Sequence, residues 1–287
     1  MKTTQAHQSG FTLVELLISL GILSLLLTAV VSVNIGTSRS AAGLQARNDL
    51  QPELQLAQNY MASKLSQASY VFPVGDNVQM TSSGDTTKNY VSLNYNWKVG
   101  THPIVAFIIP PKIVTVGGCQ SAATSPSPTN QVSDKCYAFY AFYIMRRDNY
   151  LAAVLGSGAD NPGPSPTNDT TAWVLMEYRG YYTTPAAYGG NGYSQATTDI
   201  PTGNRGRLLM DFLPSYAGTT DTAATVKLFD ALPTTSSQAA GSTTVTMNLA
   251  ALQNVAQQII RVPAGTITTY NTLTVYPRNV GKTQLIN

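Results

Sequence analysis

The sequence predicts an α+β protein in which a long N-terminal helix packs on a C-terminal antiparallel β-sheet domain. Three observations lead there. Between Phe11 and Ser38 the only charged side chain is Glu15, set in an otherwise apolar run. Residues 36–69 then turn polar while keeping helix formers and a one-sided apolar stripe. From residue 70 the chain breaks into short Val-, Ile-, Tyr- and Phe-rich runs separated by Gly, Pro, Asn and Asp, the pattern of strands joined by turns.

The first half of the helix, residues 11–35, has the length of a bilayer span, which needs about 20 apolar residues. A charge at mid-helix in such a span costs about 2.5–3.5 kcal/mol. Glu15 lies nearer the end and pays less, but a chain that keeps it has a use for it. A secretory signal peptide would show a basic start, an apolar core of about 7–15 residues and a small-residue cleavage site beyond it. Here the core is longer, Glu15 interrupts it, and no Ala-x-Ala site follows. A plain membrane anchor fits the length and leaves Glu15 unexplained. A third reading places the processing site before the apolar run, at Gly10-Phe11.

The run Gly10-Phe11-Thr12-Leu13-Val14-Glu15-Leu16-Leu17 resembles the processing signal of type IV prepilins and of the related type II secretion pseudopilins. The resemblance covers about the first 35 residues. It implies that residues 1–10 are a leader, that a prepilin peptidase cuts after Gly10, and that the new amine of Phe11 is N-methylated. It also implies that Glu15 pairs with the terminal amine of a neighbouring subunit during assembly. That role agrees with electrostatics, because a carboxylate in low dielectric needs an opposite charge or a proton. The bland alternative is a Glu snorkelling to the interface. Among such proteins the large outer region and the Glu resemble PilW-type minor pilins and J-type pseudopilins. The implied partners are other major and minor pilins, and inner-membrane lipid before assembly, with the domain outside the cytoplasm. Afterwards the subunit would sit in a surface pilus or a periplasmic filament.

In residues 36–69, Leu50, Leu54, Ala57, Met61, Leu65 and Ala68 recur every three or four positions and so share one helix face. Such a stripe is packing surface, and it predicts the seam for the outer domain. Asn34, Gly36 and Gly43 weaken the helix, and Pro52 predicts a kink or break.

The outer domain, residues 70–287, is within the size of one β-rich domain. Strands are expected at 90–99, 104–109, 113–116, 137–145, 172–178, 207–212, 225–229, 243–249 and 267–276, and a further helix at 249–260, where Ala and Gln accumulate. The ending Leu273-Thr274-Val275-Tyr276-Pro277-Arg278-Asn279 resembles the final strand and Arg-Asn ending of PilW-type minor pilins. Charged residues make up 11% of the chain and its net charge is +3. Loss of Lys2 with the leader lowers that by one, too little to argue for a polyanion partner.

Cys119 and Cys136 flank a Ser/Pro/Thr-rich segment. In an exported domain such a pair reads as a disulfide, worth about 3 kcal/mol in the chain-entropy model. Zinc with His102 would muster only three ligands, and two free thiols are the remaining alternative. Asp160, Asn161, Asn168 and Asp169 carry oxygens of the kind calcium takes, but their spacing fits no known loop, and a solvated loop is the simpler reading. No cofactor or metal motif is expected. No nucleophile elbow, phosphate loop or His-Glu-x-x-His helix argues for an enzyme. At the level of role, DNA capture at a fibre tip competes with a purely structural subunit. Its candidate contacts are Arg146, Arg147, Arg179, Arg205 and Arg207 with nearby tyrosines, provided that they converge on one exposed patch.

Overall fold

A computed structural model describes residues 12–80, 85–92, 94–112, 135–155, 160–182, 200–201, 205–221, 223–235, 238 and 241–280. Helix α1, Leu13–Ser66, runs unbroken for 54 residues, a length of about 80 Å at 1.5 Å per residue. Pro52 neither ends nor splits it. The proline removes the donor for the carbonyl four residues earlier, that of Asn48, and both residues lie on the exposed side, where water can take the vacated place. All six residues of the apolar stripe are buried, from Leu50 at 3% to Ala68 at 0% exposure.

The stripe faces a five-stranded sheet ordered β1 (Tyr70–Val71), β4 (Ile104–Ile109), β5 (Ala138–Arg146), β6 (Trp173–Tyr181) and β7 (Arg207–Leu213), every pair antiparallel. β5 reads as a continuous apolar run because both its faces are covered. Phe142 and Ile144 point to the layer holding α1, while Phe139, Ala141 and Tyr143 point to a second core. That second core is closed by the hairpin of β2 (Asn77–Gln79) and β3 (Asn96–Lys98) and by Trp97, whose indole N–H donates to the Thr87 carbonyl at 3.0 Å. A short helix α2, Arg147–Val154, follows β5 directly. A three-stranded sheet, β8 (Phe229–Asp230), β9 (Val245–Leu249) and β12 (Asn271–Val275), closes the α1 layer.

The helix expected at 249–260 is instead a β-hairpin, β10 (Ala251–Val255) and β11 (Gln258–Val262). Its turn residues Ala256 and Gln257 have φ of 50° and 66°, the conformation that Asn-Gly favours and that these residues hide from sequence inspection. The hairpin lies along α1. A Cβ added at Gly43 would sit 3.1 Å from Ile260 Cδ1, so glycine permits the approach, and Arg39 donates to Gln257 Oε1 at 3.1 Å. The expected strands at 90–99, 225–229 and 267–276 are shorter than read, and that at 113–116 lies outside the described residues.

At the far end of α1, the Arg278 backbone N–H donates to the Ser66 carbonyl at 2.9 Å and the Asn279 amide to the Gln67 carbonyl at 3.0 Å. Between these two fastenings, Gln58 donates to the Asn271 carbonyl at 3.1 Å and accepts from the Asn271 amide at 2.7 Å. A buried amide pair of this kind fixes the register of β12 on the helix.

His102 has a structural task. The Lys98 backbone N–H donates to its Nδ1 at 2.8 Å, and the Asn89 amide lies 3.0 Å from the same atom. Burial, and then the charge of Lys98, lower its pKa. The unfolded chain therefore binds a proton at higher pH than the folded one, and stability falls as pH drops below about 6.5. Thermal unfolding between pH 7.5 and 5 should show this slope, and His102→Gln should flatten it. An unchanged slope would assign it elsewhere.

Candidate assembly site

The amino-terminal end of α1 is set by a capping box. Thr12 is the N-cap in extended geometry, and its hydroxyl accepts from the Glu15 N–H at 3.3 Å. In return, Glu15 Oε2 accepts from the Thr12 N–H and from its hydroxyl, each at 3.0 Å. The Thr-x-x-Glu spacing that announces this box is legible in the sequence and adds a second role for Glu15 beside the one the resemblance implies. The carboxylate is exposed and is the only ionised side chain on α1 before Arg39 among the described residues.

Above the cap, α1 presents apolar side chains in every direction. Leu16, Leu17, Ile18, Leu20 and Ile22, which fall on different sides of the helix, are all more than half exposed. The apolar window has mean hydropathy 2.6 and none of it is buried, and this is the one helix among the described residues long and apolar enough to cross a membrane. Its hydroxyls turn inward: Ser19 donates to the Glu15 carbonyl at 2.7 Å, Thr28 to Ser24 at 2.8 Å, and Thr37 to Val33 at 3.0 Å. Backbone bonding of this kind suits a helix surrounded by hydrocarbon, where water is not available to satisfy polar groups. An all-round apolar helix with an uncovered surface requires either lipid or other helices.

A family model described as the prokaryotic N-terminal methylation motif matches residues 5–31. The chain carries a type IV pilin-like prepilin signal. The match runs from the polar residues ahead of Gly10 through Phe11 and Glu15 into the apolar helix. No curated protein and no solved structure matches the chain. Gly10 and Phe11 lie outside the described residues, which begin at the Thr12 cap.

The arginines of the C-terminal domain separate into two groups. Arg146 and Arg147 stand at one end of the five-stranded sheet. Arg146 is paired with Asp148. Arg147 is 1% exposed and is held by Asp211, whose oxygens both lie 3.0 Å from its Nε, by Asp169, and by the Gly163 carbonyl at 2.8 Å. A surface contact for Arg147 is incompatible with that burial. Sequence reading missed this role because its partners lie 22 and 64 residues away.

At the opposite end, Arg179 pairs across strands with Tyr140, and Arg207 on the edge strand β7 pairs with Glu177, two residues along β6 from Arg179. The Arg179 guanidinium lies 4.8 Å from the Tyr181 ring and 5.5 Å from that of Tyr140. Lys64 of α1 stacks on Tyr140 and Tyr60 at 5.4 Å, and Tyr60 donates to Glu177 Oε1 at 2.8 Å. Burial first, and then the charge of Arg179, lower the Lys64 pKa, with Glu177 opposing. Arg205 and Arg207 are exposed beside this group. The five arginines therefore do not form one patch.

Asn168 and Asp169 do not project into solvent. Asn168 is 2% exposed and exchanges bonds with the backbone of Asn254, accepting at 2.7 Å and donating at 3.1 Å. Asp169 accepts from the Ser165 N–H and from Arg147. Asn161 accepts from the Gly163 N–H at 2.8 Å, and the Asp160 carbonyl accepts from Tyr150. These side chains tie the 160–172 loop to α2 and β10. Cys136 is buried just ahead of β5, and Cys119 lies outside the described residues.

Proposed function

We propose that the chain is a minor pilin or pseudopilin, a structural subunit of a type IV pilus or a related filament. The observation that carries this reading is the methylation motif at residues 5–31 leading into a helix whose apolar surface is uncovered on all sides. In this reading residues 1–10 are the leader, 11–35 the membrane and assembly segment, 36–69 the amphipathic continuation and 70–287 the extracytoplasmic domain. Prepilin peptidase cuts after Gly10 and methylates Phe11. The subunit waits in the inner membrane and later transfers its helix from lipid into a bundle of other pilin helices. Glu15 then leaves its contact with Thr12 for the terminal amine of a neighbour. A Cys119–Cys136 disulfide closes the segment before β5. The buried, carbonyl-bonded Arg147 weakens the case for DNA capture through the five arginines, and a structural role is the better supported. Service in type II secretion instead of a pilus is a variant of the same reading.

Mass spectrometry of the mature protein tests the processing step. A chain beginning at Phe11, heavier by one methyl group, is the expected product. Retention of residues 1–10, or a cut beyond the apolar run, would overturn it.

A further inference from the structure

β11 places an arginine where no carboxylate among the described residues neutralises it. Arg261 is only 8% exposed. Its Nη2 donates to the carbonyls of Ile267 at 3.0 Å and Thr269 at 2.8 Å, and its guanidinium lies 4.9 Å from the Tyr270 ring. Nε is buried without an acceptor. The side chain lines a cavity of about 180 Å³ whose other walls include Ser215, Val226, Leu252, Ile267 and Thr268. A guanidinium is always charged, and buried charges in proteins are ordinarily paired. This one is oriented by two carbonyls and an aromatic face, and its side chain lines a cavity that mixes apolar walls with hydroxyls.

We infer that this cavity binds a monocarboxylate carried on a body about the size of one sugar-acid or amino-acid residue, with Arg261 as the anion-binding group. The size follows from the volume of about 180 Å³. The charge follows from the lining. Arg261 is its only cation among the described residues, and Asp221 also lines it, its carboxylate accepting from the Ser215 hydroxyl and from the Ala223 N–H. One positive group beside one negative group suits a single negative charge and disfavours a phosphate dianion. With both Nη2 hydrogens taken by carbonyls and Nε buried, Nη1 is the group left to donate to a carboxylate oxygen in a charge-assisted bond, and the aliphatic side chains of Leu252 and Ile267 suit the body that carries it. The lining residues belong to the C-terminal domain, and the site does not depend on the role proposed for α1's apolar half.

The test uses the full chain in detergent micelles and saturation-transfer NMR with two monoanionic probes, D-glucuronate and N-acetyl-L-glutamate α-amide. D-glucose and N-acetyl-L-glutamine amide are the neutral controls. At least one acid should receive saturation while its control does not, and which acid does so tells a saccharide source from a protein one. Arg261→Met should weaken binding by about tenfold or more. Because Arg261 also holds the 267–269 backbone, Ala224→Leu serves as a second variant that fills the cavity and leaves the arginine in place, and it too should abolish the signal. Transfer to neither acid would overturn the inference. So would equal transfer to the neutral controls, displacement by equimolar phosphate, or undiminished binding in Ala224→Leu.

Discussion

Replacing Arg147 with Met is expected to destabilise the outer domain by about 3–5 kcal/mol, the range for removing one partner of a buried ion pair. The guanidinium is 1% exposed and faces two carboxylates, Asp211 at 9% and Asp169 at 20% exposure. Without it both acids face a nonpolar surround with too few donors, and the Gly163 carbonyl loses its partner as well. The Phe212 ring, 5.0 Å from the guanidinium, loses a cation over its face. Lysine is a poor substitute, since one ammonium cannot reach Asp211, Asp169 and Gly163 in the directions a planar fork allows. Urea denaturation of the full chain in micelles would measure the loss. A change below 1 kcal/mol would mean that the network is replaceable. Arg146→Met, removing an exposed partner of Asp148, is the internal control and should change stability by less than about 1 kcal/mol.

The second large effect concerns assembly. Glu15→Ala and Glu15→Gln should each leave the protein in the membrane and lower its incorporation into filaments by about thirtyfold or more, corresponding to about 2 kcal/mol for a truncated interfacial charge pair. The two substitutions separate the roles of this side chain. Glutamine keeps an oxygen for the Thr12 N–H, and therefore the helix cap, while discarding the charge. If capping were the whole purpose, Glu15→Gln would assemble normally and Glu15→Ala alone would suffer. Quantitative immunoblotting of sheared filaments against the membrane fraction distinguishes these outcomes. Normal incorporation of both variants would remove the docking role altogether.

The sequence made some parts of this molecule plain and concealed others for identifiable reasons. The seam Leu50–Leu54–Ala57–Met61–Leu65–Ala68 was legible because a helix lying on a sheet imposes a repeat of three to four. β5 was legible because a strand buried on both faces loses its polar alternation. The 249–260 segment was not. Its Ala and Gln residues are good helix formers, and its turn uses Ala256 and Gln257 at positive φ in place of glycine or asparagine, so nothing marked the reversal. Tertiary packing against Gly43 and Arg39 decided what propensity could not. At the amino-terminal site, the order Gly10, Phe11, Glu15 and apolar run is local, so the motif could be read directly. The Arg147 network and the Arg261 cavity join residues far apart in the chain and leave no local trace.

The fastening of α1 at two levels carries a mechanical consequence. The β10–β11 hairpin grips the helix at Arg39 and Gly43, and the chain's last described residues hold it at Ser66 and Gln67. That splints some forty ångströms of rod, at 1.5 Å for each of the intervening residues. A subunit tugged along its axis cannot flex within this stretch without first peeling off one clasp. Compliance is therefore confined to the bare rod between Thr12 and Ser38, whose glycines at 21 and 36 have open space around them. Load entering through the bare segment reaches the outer domain as torque on a stiff handle.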